Sequence, residues 1–227
     1  MKYRKKRLTT RKRRALRRVL ILLILVIASW ALGSYGYLPS DNLRELEEMQ
    51  GVGRTEVLRR IWNPATDGWN RMVYLSVNEN AVMLSGCFWN PFEGWTGSTY
   101  SIIDCSKEEV PVHSLFHLET RDGEDGKRIT NAPVRTYGRV DDPDVEVIEL
   151  HLWITEDGRE RRQIAVQRSG RKDWMQLNGR TYFLMQTDRL EWEGPSVFFE
   201  PMLRALDADG NVVAEYMAPD WIWSVVG

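Results

Sequence analysis

The chain has 227 residues, 28% of them charged, with a formal net charge of -1 that conceals two opposite halves. Residues 1–18 hold eleven Lys/Arg and no acid, whereas the remainder holds 20 basic and 32 acidic residues. The acidic bulk excludes a nucleic-acid surface, which needs clustered Lys/Arg against phosphates, and its length suffices for one domain with a real core.

The basic start is followed by an uncharged stretch, residues 19–38. Twenty helical residues at about 1.5 Å each reach about 30 Å, so the reading is a transmembrane helix. The basic flank is expected to stay cytoplasmic and to place the C-terminal domain outside, as a single-pass protein of the cell membrane. Arg11, Lys12, Arg13, Arg14, Arg17 and Arg18 are then the candidate contacts to an anionic membrane surface. The alternative is a secretory signal peptide, because Ala31 and Gly33 occupy small positions suited to cleavage. No cysteine follows the apolar run, so a lipoprotein anchor is excluded.

Residues 39–70 read as a short helical region. Asn42 with Glu45 has capping-box spacing, and Leu43, Leu46 and Met49 recur at three-residue steps. A second helix is expected from Thr55, with Val57, Leu58, Ile61 and Trp62 on one face, ending at Asn63-Pro64.

From residue 71 to 227 the period falls to two. Val73, Leu75 and Val77 alternate with polar neighbours, Asn78-Glu79-Asn80 turns, and 81–88 returns. Further strands are expected at 98–103, 110–118, 134–140, 148–154, 162–168, 181–186, 197–206 and 212–217. The expected fold is mainly β, an antiparallel sandwich or barrel behind the transmembrane helix and one or two short helices.

Two stretches carry a resemblance. Residues Tyr137-Gly138-Arg139-Val140-Asp141-Asp142-Pro143-Asp144-Val145 through Glu149-Leu150 resemble a strand–turn–strand of immunoglobulin-like domains on bacterial surface proteins. Ala205-Leu206-Asp207-Ala208-Asp209-Gly210-Asn211-Val212-Val213 resembles their terminal hairpin. With the basic-flanked apolar segment, the chain resembles membrane-anchored proteins of Gram-positive bacteria. The resemblance implies an Ig-like sandwich and an envelope location, and carries no site residues with it.

Candidate sites are few. Cys87 and Cys105 are the two cysteines, and outside the membrane they are expected to form a disulfide. Trp89, Phe92 and Trp95 lie in a Gly/Pro-bearing stretch, 88–95, read as a loop whose flat aromatics suit a ligand such as a sugar. The bland alternative is that these rings plug a core. His113-x-x-x-His117 falls in a strand, where the two rings stand about 13 Å apart, too far for one metal ion. Exposed or strand-flanking histidines are the better reading. Asp207-x-Asp209-Gly210-Asn211 opens like a calcium loop, but Ala218 occupies position twelve, and Asp-Gly is a strong turn former. No metal site, cofactor or catalytic residue is assigned. There is no Gly-x-Ser-x-Gly elbow, phosphate loop or dinucleotide fingerprint.

The function expected from sequence is a membrane-anchored, noncatalytic extracytoplasmic β domain. It would bind an envelope polymer or serve as accessory to a membrane protein complex. Two other classes stay open: a secreted or anchored hydrolase with a dispersed carboxylate or Ser/His site, and a regulator or scaffold acting through the basic cytoplasmic tail. Oligomeric state is not legible.

Overall fold

The structure is a computed structural model that describes residues 10–31, 38–62, 72–90, 94–107, 109–118, 121–122, 128–156, 161–188, 190–193 and 197–217. Two helices come first, α1 (Thr10–Ala31) and α2 (Pro39–Gln50). Apart from one 3-10 turn at Arg171–Asp173, the remaining regular structure of the described residues is strand, and every pairing is antiparallel.

The transmembrane expectation is overturned: among the described residues no helix is long and apolar enough to cross a membrane. Helix α1 spends its first turns on six cations, Arg11 to Arg18. Its apolar part, residues 19–31, reaches only about 20 Å at 1.5 Å per residue, against a hydrocarbon core of about 30 Å. Residues 32–37, which were to complete the span, lie outside the described residues.

Helix α2 starts on Pro39, whose missing N–H costs nothing in the first turn. The Leu38 N–H donates to the Asp41 carboxylate at 2.9 Å, so Asp41 closes this end rather than the expected Asn42–Glu45 pair. Gly51 ends the helix at φ +63°, and the Val52 N–H donates to the Glu47 carbonyl.

The first sheet has the order β1 (Glu56–Trp62), β2 (Met72–Val77), β3 (Ala81–Asn90), β4 (Gly94–Asp104). The expected second helix is therefore a strand. A bulge between Val57 and Arg59 shifts the alternation, so Leu58 and Ile61, three apart, both reach the core. That bulge gives an extended segment the spacing of a helix.

Four more strands, β5 (Val112–Leu118), β8 (Val134–Val140), β11 (Met175–Leu177) and β12 (Arg180–Gln186), form the second sheet, ordered β11-β12-β8-β5. Strands β9 (Val147–Glu156), β10 (Arg162–Gly170), β14 (Val197–Leu206) and β15 (Val212–Met217) form the third, ordered β10-β9-β14-β15. A small sheet joins β13 (Leu190–Glu193), β7 (Arg128–Ala132) and β6 (Arg121–Asp122).

The second sheet contributes to cores on both faces, and all seven residues of β8 are buried. Tyr137, Tyr182 and Leu184 share a core with Val73, Leu75, Val82 and Leu84 of the first sheet. Val112, Phe116, Val140 and Phe183 share another with Ile148, Leu150 and Leu203 of the third. Fully burying a leucine such as Leu150 contributes about 1.5–3 kcal/mol. The strand–turn–strand around 137–150 thus passes between sheets, from β8 to β9, while β14 and β15 form the expected terminal hairpin. There the Asp207 carboxylate accepts from the N–H groups of Asp209 and Asn211, which is turn chemistry.

The disulfide expectation is overturned. Both cysteines are free and buried. Register explains why: Cys87 pairs with Gly97 toward one end of the β3–β4 hairpin, whereas Cys105 follows the Ala81–Asp104 pair at the other. The two are six or seven residues apart along the ladder, about 20 Å, and a bridge needs Cα atoms within about 7 Å. Burial pushes the Cys87 thiol up to about 12 and the Cys105 thiol up to about 11, so both stay protonated.

Two outcomes follow from this packing. Unreduced protein should yield two thiols to a thiol reagent in denaturant, and neither should react rapidly while folded; a single thiol or none would contradict the register. Gly138→Ala should cost on the order of 3 kcal/mol or more in a denaturant melt, because a Cβ there would stand 1.9 Å from the His113 carbonyl oxygen.

Candidate functional site

The first sheet has one face in the core, and α2 lies across the other. The residues of β2 and β3 that alternate with the core positions, Tyr74, Ser76, Met83 and Ser85, point to that second face and are all buried. Three contacts hold the helix. At its start the Asn42 amide donates to the Trp95 carbonyl. At its end the Gln50 amide donates to the Tyr100 hydroxyl at 3.0 Å.

Between them sits Glu47, only 3% exposed. Its carboxylate accepts from the Thr55 N–H at 2.8 Å, from the Thr55 hydroxyl, and from Arg44 through both oxygens at 3.0 and 2.8 Å. Burial works against ionisation, but hydrogen bonds from Thr55 and Arg44 outweigh it and hold the carboxyl below its usual range. A buried carboxylate with this many donors ties α2 to the residue before β1.

Helix and sheet do not meet along their whole length. A cavity of about 310 Å³ remains between them. The helix supplies Leu43, Leu46 and Met49; the sheet supplies Tyr74, Ser85, Cys87, Thr96 and Tyr100. The Ser85 and Thr96 hydroxyl oxygens are buried without a hydrogen-bond partner. Among the described residues no Lys or Arg lines this space, and Glu45 does. Arg60 instead lies over the Tyr74 ring at 6.0 Å.

An aromatic group continues the same end of the sheet. Trp89 and Trp95 are cross-strand partners near one end of the β3–β4 ladder, so the described residues of 88–95 are paired strand rather than the expected loop. Trp89 is 42% exposed and Trp62, at the end of β1, is 56% exposed. The Trp62 and Trp95 rings meet edge to face with centroids 6.3 Å apart. Phe92, the third member of the expected set, lies outside the described residues. Elsewhere, Trp174 is a core residue whose indole N–H donates to Ser169. Trp153 lies between His151, stacked at 5.5 Å, and the Arg161 guanidinium, 4.4 Å above its ring.

The histidines of β5 are buried, not exposed or strand-flanking as expected. His113 lies 3.2 Å from the Asp141 carboxylate, which also accepts from Arg139 at 2.6 Å. Arg139 also donates to the Cys105 and Glu79 carbonyls, joining the second sheet to the first. His117 Nδ1 stands 3.4 Å from Ser101 Oγ, which accepts from the Tyr137 hydroxyl at 2.8 Å. This is the nearest approach to a Ser/His pair in the described contacts. It lies between sheets, and neither residue lines the two cavities described here. The second of these, about 530 Å³, is polar and sits beside Arg54, Glu56, Glu79 and Arg180. Among the described residues no three or more His, Cys, Asp or Glu are grouped to hold a metal ion.

Comparison with known proteins finds no matching family, no matching curated protein and no matching solved structure. The geometry of the site therefore carries the functional argument alone.

Sequence reasoning named Trp89 and Trp95 but not the cavity beside them. The available signal was alternation: once β2 and β3 are aligned, Tyr74, Ser85 and the apolar edge of α2 must face one another. Asn42 was read as a cap, and its tie to Trp95 across 53 positions has no local signature.

Glu47→Gln should destabilise the protein by about 3 kcal/mol, since it removes a buried charge whose donors remain. The sign with pH is fixed by the lowered carboxyl value. Glu47's contribution is present above the unfolded carboxyl value of about 4.3 and lost as pH falls through the lower folded value. Melts of wild type and Glu47→Gln should therefore converge in acid; a constant gap from pH 7 to pH 2 would contradict the ionised knot.

Proposed function

We propose that this chain is a membrane-associated, extracytoplasmic binding domain of the cell envelope that recognises its ligand at the α2 groove and the adjoining tryptophans. The observation that carries the reading is the 310 Å³ space whose floor holds two unsatisfied hydroxyls, beside indoles exposed to solvent. Unsatisfied buried polar groups and exposed rings both cost stability without aiding the fold, and ligand sites are where such costs concentrate.

The location rests on α1. Its apolar residues from Val19 to Ile27 stand 48–62% exposed, all round the helix, next to the six cations. Such a surface is stable against lipid or protein rather than water. Thirteen uncharged residues behind a basic run, all but Ser29 apolar, match the core of a secretory signal, so we assign α1 to membrane targeting and export. In this reading the basic residues meet anionic headgroups during targeting. The two cores shared by successive sheets support an Ig-like sandwich, in keeping with the resemblance of its β8–β9 and β14–β15 segments to bacterial surface domains.

The test pairs location with binding. Alkaline phosphatase fused after residue 217 should be active in intact bacterial cells. The full chain should bind a solubilised envelope fraction with a change in tryptophan fluorescence. Replacing Trp89 and Trp95 by alanine should weaken that binding at least tenfold. Trp89→Ala alone should leave the melt nearly unchanged, as expected of a half-exposed residue. An inactive fusion would contradict the location; undiminished binding by the double variant would contradict the site.

A further inference from the structure

The groove under α2 is specific in its chemistry. We propose that it takes a neutral amphiphile: a single alkyl or acyl chain of about ten carbons carrying an uncharged hydroxyl, ester or amide head. This deepens the binding reading given above and rests on it.

Three observations select that class. The first is polarity. The walls from Leu43, Leu46, Met49, Tyr74 and Tyr100 are apolar or aromatic, and the polar side chains are Ser85 and Thr96 on the sheet side with Asn42 and Glu45 on the helix. A chain buried against Leu46 and Met49 gains by removal of its methylenes from water, about 0.8 kcal/mol for each.

The second is the pair of hydroxyls. Ser85 is 94% buried by its 6% exposure, lines the space, and its oxygen has no partner. Thr96 presents a second such oxygen. Each hydroxyl can donate and accept, so the group that satisfies both must itself do at least one, as an alcohol, ester or amide does. A plain hydrocarbon would leave them orphaned.

The third is charge. Among the described residues no cation lines the cavity and Glu45 stands at it, so a phosphate, sulfate or carboxylate head would lie beside a like charge without a pairing cation from them. The volume fits as well. At roughly 30 Å³ per water-sized group, 310 Å³ holds about ten such groups.

The test uses the full chain in phosphatidylcholine nanodiscs with diazirine-bearing decanol, decanoate and decylamine as probes. Cross-links read by peptide mass spectrometry should fall on residues 43–49 and 96–100 with decanol, at ten times or more the yield obtained with decanoate. Ser85→Ala with Thr96→Val should lower decanol labelling about tenfold while the melting temperature of the unliganded protein holds or rises, because two orphan hydroxyls are removed. A purely structural role for these residues would lower it. Leu46→Trp, which fills the groove, should abolish labelling and weaken envelope binding, leaving the part that Trp89 and Trp95 carry.

Equal labelling by all three probes, or labelling spread over the domain, would overturn the proposal. So would competition by a soluble amino-sugar disaccharide. Envelope binding that survives such a result would leave the binding reading standing; its loss in the Trp89/Trp95 variant alone would not affect the groove.

Discussion

One buried carboxylate decides where α2 lies. Glu47 takes hydrogen bonds from Thr55 and Arg44 and so fixes the helix against the strand that follows it. Its ionised form is favoured although burial opposes it, because the donors are supplied in place by the fold. With that knot made, the amides of Asn42 and Gln50 fall opposite Trp95 and Tyr100. The helix is pinned at three points along a sheet that it does not fully contact. The space between the pins is the site.

Beneath this lies a second constraint. The sheet ordered β11-β12-β8-β5 serves two cores, so its strand β8 has no face to give to water. Polar residues on it must be satisfied internally. On the face toward the first sheet, register aligns His113 with Arg139 and His117 with Arg135, either side of the Leu115–Tyr137 pair. Arg139 reaches Asp141 and two carbonyls of the first sheet, and Tyr137 reaches Ser101 of β4. Hydrogen bonds to charged groups contribute more than neutral ones, so these contacts set the register of one sheet on the other. The chain achieves this with two thiols left free and protonated.

Much of the fold was legible. Strict alternation in Ile148, Leu150, Leu152 and Ile154 marks β9, and Asp-Gly-Asn marks the β14–β15 turn. What failed did so for physical reasons. In β1 a bulge placed Leu58 and Ile61 on one face at helical spacing. The apolar stretch from Val19 has the length of a span, but α1 begins nine residues earlier, on cations, and only its later part is apolar. The cysteines were paired by count, whereas their distance is set by hairpin register, which sequence does not display. The histidines were placed outside because a strand with two of them looks half-solvated, but their sheet is covered on both faces. The groove is the least legible feature, since it arises from α2 at residues 39–50 meeting strand residues 24 to 61 positions later.

The central claim is that α2 is held over a cavity kept open for a ligand, with Ser85 and Thr96 unsatisfied until it arrives. A high-resolution crystallographic map of the full chain, purified from its own membrane fraction, examines that space most directly. The account predicts elongated density between Leu46 and Ser85, with a polar end within hydrogen-bond distance of Ser85 Oγ. A helix settled onto the sheet with Leu46 filling the space, or a cavity holding ordered waters alone, would contradict it.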